Sequence, residues 1–177
     1  LQQLLGPVRG GQPIVAMPGA GTQVPIWLLG SSLFSARLAA ERGLPYAFAS
    51  HFAPRLLHPA IDLYRQLFRP SAALGKPYVV IGVPLIAAPD DDEAEVLASS
   101  VYQRVLGILT GERRRLQAPV RDFAATLHPQ ARAAIDDFLA KAVIGGPAKV
   151  EAGFARLAET TQADEFMLVC DVFDPAL

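Results

Sequence analysis

Four short apolar runs divide the chain, and segments with helical spacing lie between them. The runs cover residues 24–29, 46–49, 78–88 and 166–170, and they contain many β-branched and aromatic residues. Runs of this kind are typical of strands that are covered on both faces in a parallel sheet. Because no hairpin signal lies between them, the pattern predicts a parallel α/β sheet of four strands.

The first two runs and the segment between them predict a strand, helix and strand over residues 24–50. Gly30 ends the first strand, helical spacing begins at Ser32, and Gly43 supplies the C-terminal stop. A crossover this short between two such strands implies a right-handed parallel unit. In such units ligands bind at the carboxyl ends of the strands, where the free N–H groups of a helix N-terminus attract anions.

The turn at that position is Gly30-Ser31-Ser32, and Ser35 follows one helical turn later. Glycine lets a ligand approach the backbone, and the two serine hydroxyls are placed to face the same way. The turn therefore predicts a phosphate site. Serine is also a common helix cap, so the alternative is that Ser32 and Ser35 only cap the helix.

His51 and Phe52 lie just beyond the second predicted strand, at the same carboxyl end of the strands as the serine turn. One interpretation places them in a pocket, beside a cofactor ring or a substrate. The other is that His51 only satisfies hydrogen bonds of its loop.

The rest of the pattern predicts further helices and one leading loop. The helices cover residues 59–68, 93–109, 132–143 and 148–161, and residues 1–22 form a loop with one edge strand. Pro84 in the third strand indicates a bulge or a sheet edge. The acidic residues 90–93 complement a helix dipole, so we expect them to start a helix rather than bind a metal. Asp171, Phe173 and Asp174 would follow the carboxyl end of the last strand.

Composition narrows the class of protein. The 177 residues are 51% hydrophobic and 19% charged, with a net charge of −1, which predicts one globular domain and no nucleic-acid partner. The mixed charges of residues 112–115 read as solvated surface. No apolar run is long enough to span a membrane. The lone Cys170 lies in the last apolar run and is expected to be a buried, inert thiol, and no signal peptide is visible, so we expect a cytoplasmic location.

Two architectures fit a parallel sheet of this size. One is an open doubly wound sheet of the flavodoxin type, which occurs at about this length. A (β/α)8 barrel typically needs about 250 residues, so length alone favours the open sheet. The chain begins at Leu1 rather than methionine, so we expect it to start part-way through a longer polypeptide.

Two motifs resemble the flavin-dependent monooxygenases of the bacterial luciferase family. They are Leu29-Gly30-Ser31-Ser32 and the sequence LAAERGLP at residues 38–45. The resemblance implies that the turn, with the hydroxyls of Ser32 and Ser35, holds the phosphate of reduced FMN. It continues through the acidic helix start, residues 118–120, Gly146-Pro147 and residues 163–165.

The resemblance also implies a fold. The four predicted strands would be strands five to eight of a luciferase-like (β/α)8 TIM barrel, so the chain would be its C-terminal half, without strands one to four and the last helix. About eight apolar side chains would then be uncovered, each costing about 1.5–3 kcal/mol, and two strand edges would be unpaired. We therefore expect the chain to pair with the missing half or with a second copy of itself.

The activity that the resemblance implies is oxidation of an organic substrate by O2, with reduced FMN supplied by a separate NAD(P)H-dependent flavin reductase. No catalytic residue transfers, because the half that supplies the ring site and a basic phosphate contact is not in this sequence. A non-catalytic flavin-binding protein is the alternative. A phosphosugar enzyme ranks third, since no general base accompanies Ser32.

Overall fold

A computed structural model describes residues 1–112, 115–174 and 176 of the chain. The described part contains five strands, and every strand pair is parallel. The strands are β1 (Leu28–Gly30), β2 (Tyr46–Ala49), β3 (Val79–Ala87), β4 (Val143–Gly145) and β5 (Glu165–Val169). The α/β fold with a parallel sheet is thus confirmed.

β3 is the central strand. One edge pairs with β2, in the register Phe48 with Ile81, and β2 pairs in turn with β1. β3 also pairs with β5 through residues 80–84 and with β4 through its last three residues. The change of partner falls between Pro84, which is opposite Val169, and Leu85, which is opposite Val143.

Seven α-helices accompany these strands in the described residues. They are α1 (Gln2–Leu5), α2 (Leu33–Arg42), α3 (Leu57–Leu67), α4 (Asp91–Thr110), α5 (Phe123–Thr126), α6 (Pro129–Phe138) and α7 (Pro147–Thr161), and a single 3-10 turn (Pro54–Leu56) precedes α3. None of the helices in the described residues is long and apolar enough to cross a membrane.

Helices α2, α3 and α7 pack on one face of the sheet, which we call the covered face. There Tyr46, Phe48 and Ile81 form one core with apolar residues of the three helices. Side chains alternate along a strand, so Ala47 and Gly82 belong to the opposite, open face. Strands β1, β2 and β3 are neighbours in chain order, whereas a doubly wound sheet reverses its strand order.

The segment from α4 to α6, between β3 and β4, has a core of its own. Buried Val101 and Val105 of α4 pack with Ile135 of α6 and Ile86 at the end of β3. Two ion pairs tie this segment to other elements: Arg55 with Asp137 of α6 at 2.8 Å, and Arg104 of α4 with Asp171 at 2.6 Å. The fold therefore has two adjoining cores that share the end of β3 and β4.

The predicted helix starts are confirmed where a cap is visible in the sequence. Ser32 caps α2 and Gly43 ends it in the left-handed region (φ 59°). Asp90 caps α4 by accepting a hydrogen bond from the Glu93 N–H at 2.8 Å. Gly146 precedes Pro147 at the start of α7.

Three predicted elements differ from the structure. The first strand is three residues long, because Val24 and Trp27 lie outside the sheet and are half-exposed. Residues 1–22, all of which the structure describes, hold the short helix α1 and no strand. The helix predicted over residues 132–143 is α6, which ends at Phe138, and Val143 begins β4 because it pairs with Leu85.

One further prediction is corrected, one is refined and one lies partly outside the described residues. Cys170 is exposed rather than buried, because it directly follows β5, whose only partner in the described residues is β3. β3 is not an edge strand, although Pro84 lies beyond Gly82, the last residue paired with β2, and needs no partner there. Of the mixed charges at residues 112–115, positions 113 and 114 lie outside the described residues.

Candidate functional site

The serine turn lies where the sequence predicts it, between the carboxyl end of β1 and the N-terminus of α2. Ser32 and Ser35 form a reciprocal capping box: Ser32 Oγ accepts from the Ser35 N–H at 3.3 Å, and Ser35 Oγ accepts from the Ser32 N–H at 3.4 Å. Both serines therefore cap α2.

Ser35 faces the interior of the turn. Its hydroxyl donates to the Ser32 carbonyl at 2.8 Å and lies 3.0 Å from the Tyr46 hydroxyl. A Cβ on Gly30 would overlap the Ser35 side chain, so this packing requires glycine at position 30. The structure thus brings together Gly30, Ser32 and Ser35, and adds Tyr46.

Two backbone donors of the turn are free to meet a ligand. The N–H groups of Leu33 and Phe34 occupy the first two positions of α2, and in the described part of the chain neither has a hydrogen-bond partner. These N–H groups and the helix dipole favour a negative charge. The local geometry therefore fits a phosphate group.

His51 and Phe52 follow β2, the strand next to β1, so they lie at the same carboxyl end of the sheet as the serine turn. The His51 ring lies against Gly82 on the open face, since a Cβ there would be 3.0 Å from His51 Nδ1. Phe52 packs on His51 with ring centroids 4.3 Å apart and is 68% exposed. The buried Nδ1 of His51 has no hydrogen-bond partner among the described residues.

A second cluster lies at the same end of the sheet, after β3 and β4. Asp91 accepts a hydrogen bond from the Gly146 N–H at 2.8 Å and pairs with Lys149 Nζ at 2.9 Å. The hydrogen bond and then the lysine lower the pKa of Asp91 below its ordinary value. Asp91 therefore joins the starts of α4 and α7. No group of His, Cys, Asp and Glu side chains among the described residues has the arrangement of a metal site.

Sequence reasoning missed two residues of this region. The sequence pattern places Tyr46 only in a strand, and no local pattern indicates that its hydroxyl reaches the turn. It places Gly82 in the third strand without indicating its contact with His51. The turn itself is open rather than enclosed, and a cavity of ≈ 660 Å³ lies elsewhere, between the N-terminal segment and Arg42 at the far end of α2.

Comparison with known proteins decides the family. The model of the luciferase-like monooxygenase family matches residues 7–164, which is most of the chain. The chain belongs to the luciferase-like monooxygenase family. The family resemblance predicted from the motifs at residues 29–32 and 38–45 is thereby confirmed.

Curated relatives within this family are about twice as long. The chain is 47% identical over 161 residues to an uncharacterized protein, YvbT, of Bacillus subtilis, covering 91% of this chain and 48% of that protein. It is 42% identical over 158 residues to a luciferase-like monooxygenase of Escherichia coli K12, covering 89% and 47%. The chain thus spans about half the length of these relatives.

Solved structures support the same fold. The apo form of MsnO8 superposes with a TM-score of 0.70 at 27% identity, covering 93% of this chain and 50% of that chain. More distant similarities are to a coenzyme F420-dependent tetrahydromethanopterin reductase from Methanopyrus kandleri, with a TM-score of 0.57 at 15% identity, covering 98% and 55%, and to riboflavin lyase with modified FMN, with a TM-score of 0.51 at 17% identity, covering 94% and 42%. These two similarities concern the fold alone.

Proposed function

We propose that this chain is the flavin-binding part of an FMN-dependent monooxygenase. Family membership supports an oxidoreductase of this class, and neighbours in the fold are named for flavin or F420 cofactors. The observation that carries the proposal is the serine turn, where the unpartnered N–H groups of Leu33 and Phe34 stand at the carboxyl end of β1. These two donors, with Ser31 and Ser32, would hold the FMN phosphate.

The chain's own residues would bind and orient the cofactor. The helix terminus would bind the phosphate, and Gly30 leaves room for the Ser35 side chain within the turn. His51 and Phe52 lie at the same edge and would line the substrate side of the pocket. Reduced FMN supplies two electrons, so that one atom of O2 enters the organic substrate and the other leaves as water. A separate flavin reductase would provide the reduced FMN.

We also propose that the chain is the C-terminal half of a barrel. β1 and β5 each have one partner in the described residues, and Leu29 and Met167 on the open face are 69% and 60% exposed. The missing half, or a second copy of the chain, would pair with these edges and cover the face. Intact mass and light scattering on the purified protein test this; a monodisperse 18.9 kDa monomer with cooperative unfolding would contradict it.

A flavin-binding protein without turnover is the second candidate, because the chain spans about half the length of its relatives. Substrate-dependent O2 uptake, measured with NADPH and a flavin reductase, separates the two. Uptake stimulated by an aldehyde, alkane or aromatic compound supports the monooxygenase. FMN binding without such uptake supports the second candidate.

Phosphate binding is tested by comparing FMN with riboflavin, which lacks the phosphate. We expect Ser32→Ala to raise the Kd for FMN about tenfold and to leave that for riboflavin unchanged, because hydrogen bonds to charged groups contribute about 1.5–3 kcal/mol. Ser71→Ala is the matched control, since Ser71 donates to the Gly43 carbonyl at the other end of α2. Equal affinity of the unaltered protein for FMN and riboflavin would disprove the phosphate site.

A further inference from the structure

A buried tyrosine contacts the serine turn from the core of the covered face. Tyr46 is fully buried at the start of β2, opposite Leu28, and its ring lies beneath α2 in the core. Its hydroxyl nevertheless reaches the turn, where it lies 3.2 Å from the Ser32 carbonyl oxygen and 3.0 Å from Ser35 Oγ. Burial raises the pKa of Tyr46, so the phenol stays protonated and able to donate.

The Ser32 carbonyl oxygen lies near three donors. It accepts from the Ser35 hydroxyl at 2.8 Å and from the Ala36 N–H at 3.3 Å, and the single proton of the Tyr46 hydroxyl is shared between this oxygen and Ser35 Oγ. This carbonyl and the Leu33 N–H belong to one planar trans peptide, so they point in opposite directions. Fixing the oxygen toward the core therefore fixes the Leu33 N–H away from it, at the open end of the helix.

We propose that Tyr46 is a positioning residue of the phosphate site, which acts through the Ser32 carbonyl and Ser35 to hold the Leu33 N–H toward a bound phosphate. The inference rests on the proposed function and adds a residue to that site. Tyr46 does not touch the ligand. Ser35 shares this positioning role, because its hydroxyl is already engaged by Ser32 and Tyr46.

The test is the ratio of FMN to riboflavin affinity in Tyr46→Phe, measured by flavin fluorescence on the full protein. We expect the Kd for FMN to rise about three- to tenfold, the range that loss of one hydrogen bond gives, and the Kd for riboflavin to change less than about twofold. Tyr64→Phe is the matched control. Tyr64 is equally buried in the same core, but its hydroxyl donates to the Leu44 carbonyl and accepts from the Tyr78 N–H, away from the turn.

A purely structural role would lower the thermal midpoint in both tyrosine variants and leave the affinity ratio unchanged in both. That result, with an unaltered protein that prefers FMN, would overturn this inference alone. Equal affinity of the unaltered protein for the two flavins would overturn the phosphate site and the inference together.

Ser35→Ala provides a second route if Tyr46→Phe folds poorly, because it removes the other end of the same contact. We expect a similar loss of FMN preference. In the double variant the two losses should be clearly less than additive, since both substitutions break one network. Fully additive losses, or an unchanged ratio in Ser35→Ala, would contradict the coupling of Tyr46 to the site.

Discussion

The two faces of the sheet contrast in what covers them. On the covered face Tyr46, Phe48 and Ile81 are fully buried under helices, whereas Leu29 and Met167 on the open face are 69% and 60% exposed. Between these two side chains the open face carries Ala47, Gly82 and Val80, and Val80 is only 4% exposed. The covered face already has the packing of a finished core. The open face is the surface on which we propose that the other half of the barrel packs.

The largest expected effect is a difference in the loss of stability between a substitution on the covered face and one on the open face. Phe48→Ala should lower the free energy of unfolding by about 3–5 kcal/mol, because it leaves a cavity in the covered core. Leu29→Ala should change it by less than about 0.5 kcal/mol in the chain alone, since that side chain is exposed. Urea unfolding of the two variants gives both values. Similar losses would mean that the open face is covered in the protein as purified.

A charge on the open face tests the proposed second half directly. If Leu29 is buried by a partner, Leu29→Glu should weaken the assembled state by at least about 1.5–3 kcal/mol, the value of its lost apolar burial. Sedimentation of the unaltered and variant proteins measures the change. Val120→Glu is the control, because Val120 is also half-exposed but lies outside the sheet. Identical assembly of the Leu29 variant and the unaltered protein would argue against burial of this face.

Gly82 tests one contact on the open face, the contact with the His51 ring. In Gly82→Ala the new Cβ would lie 3.0 Å from His51 Nδ1, so the ring must move by a few tenths of an ångström. We expect a shifted NMR resonance of His51 and a stability change of less than about 1 kcal/mol, because the ring belongs to a loop. Gly75→Ala meets no atom within 4 Å and is the control. An unchanged His51 resonance would contradict the contact.

The smallest expected effect concerns Asp91, which lies beyond the carboxyl end of β3 rather than on either face of the sheet. Its pKa is lowered from 3.8 by the Gly146 N–H and then by Lys149. A lowered pKa stabilises the folded state above the unfolded value, and that contribution is lost as the pH falls through the folded value. Asp91→Asn should therefore lower the thermal midpoint by less than about 2 °C at pH 7. The difference should shrink below pH 3.8, and a difference that persists at lower pH would contradict this assignment.

Local signals made part of this structure predictable. The serine cap and the glycine stop of α2 depend on residues adjacent in sequence, so its boundaries and the position of the turn could be read directly. β4 could not be predicted, because its three residues form a strand only by pairing with the end of β3, far away in the chain. The exposure of Cys170 depends on which strand neighbours β5, which an apolar run does not reveal. The reach of Tyr46 to Ser35 likewise depends on tertiary packing.

The change of partner along β3 has a consequence for how the molecule opens. β4 pairs only with the last three residues of β3. The core formed by α4 and α6 is separate from the core on the covered face. We therefore expect the α4–α6 segment to open as a separate cooperative unit, whose amides should exchange with solvent deuterium while those of β2 and the first half of β3 remain protected. Pro84, at the change of partner, would then mark the border between the two regions.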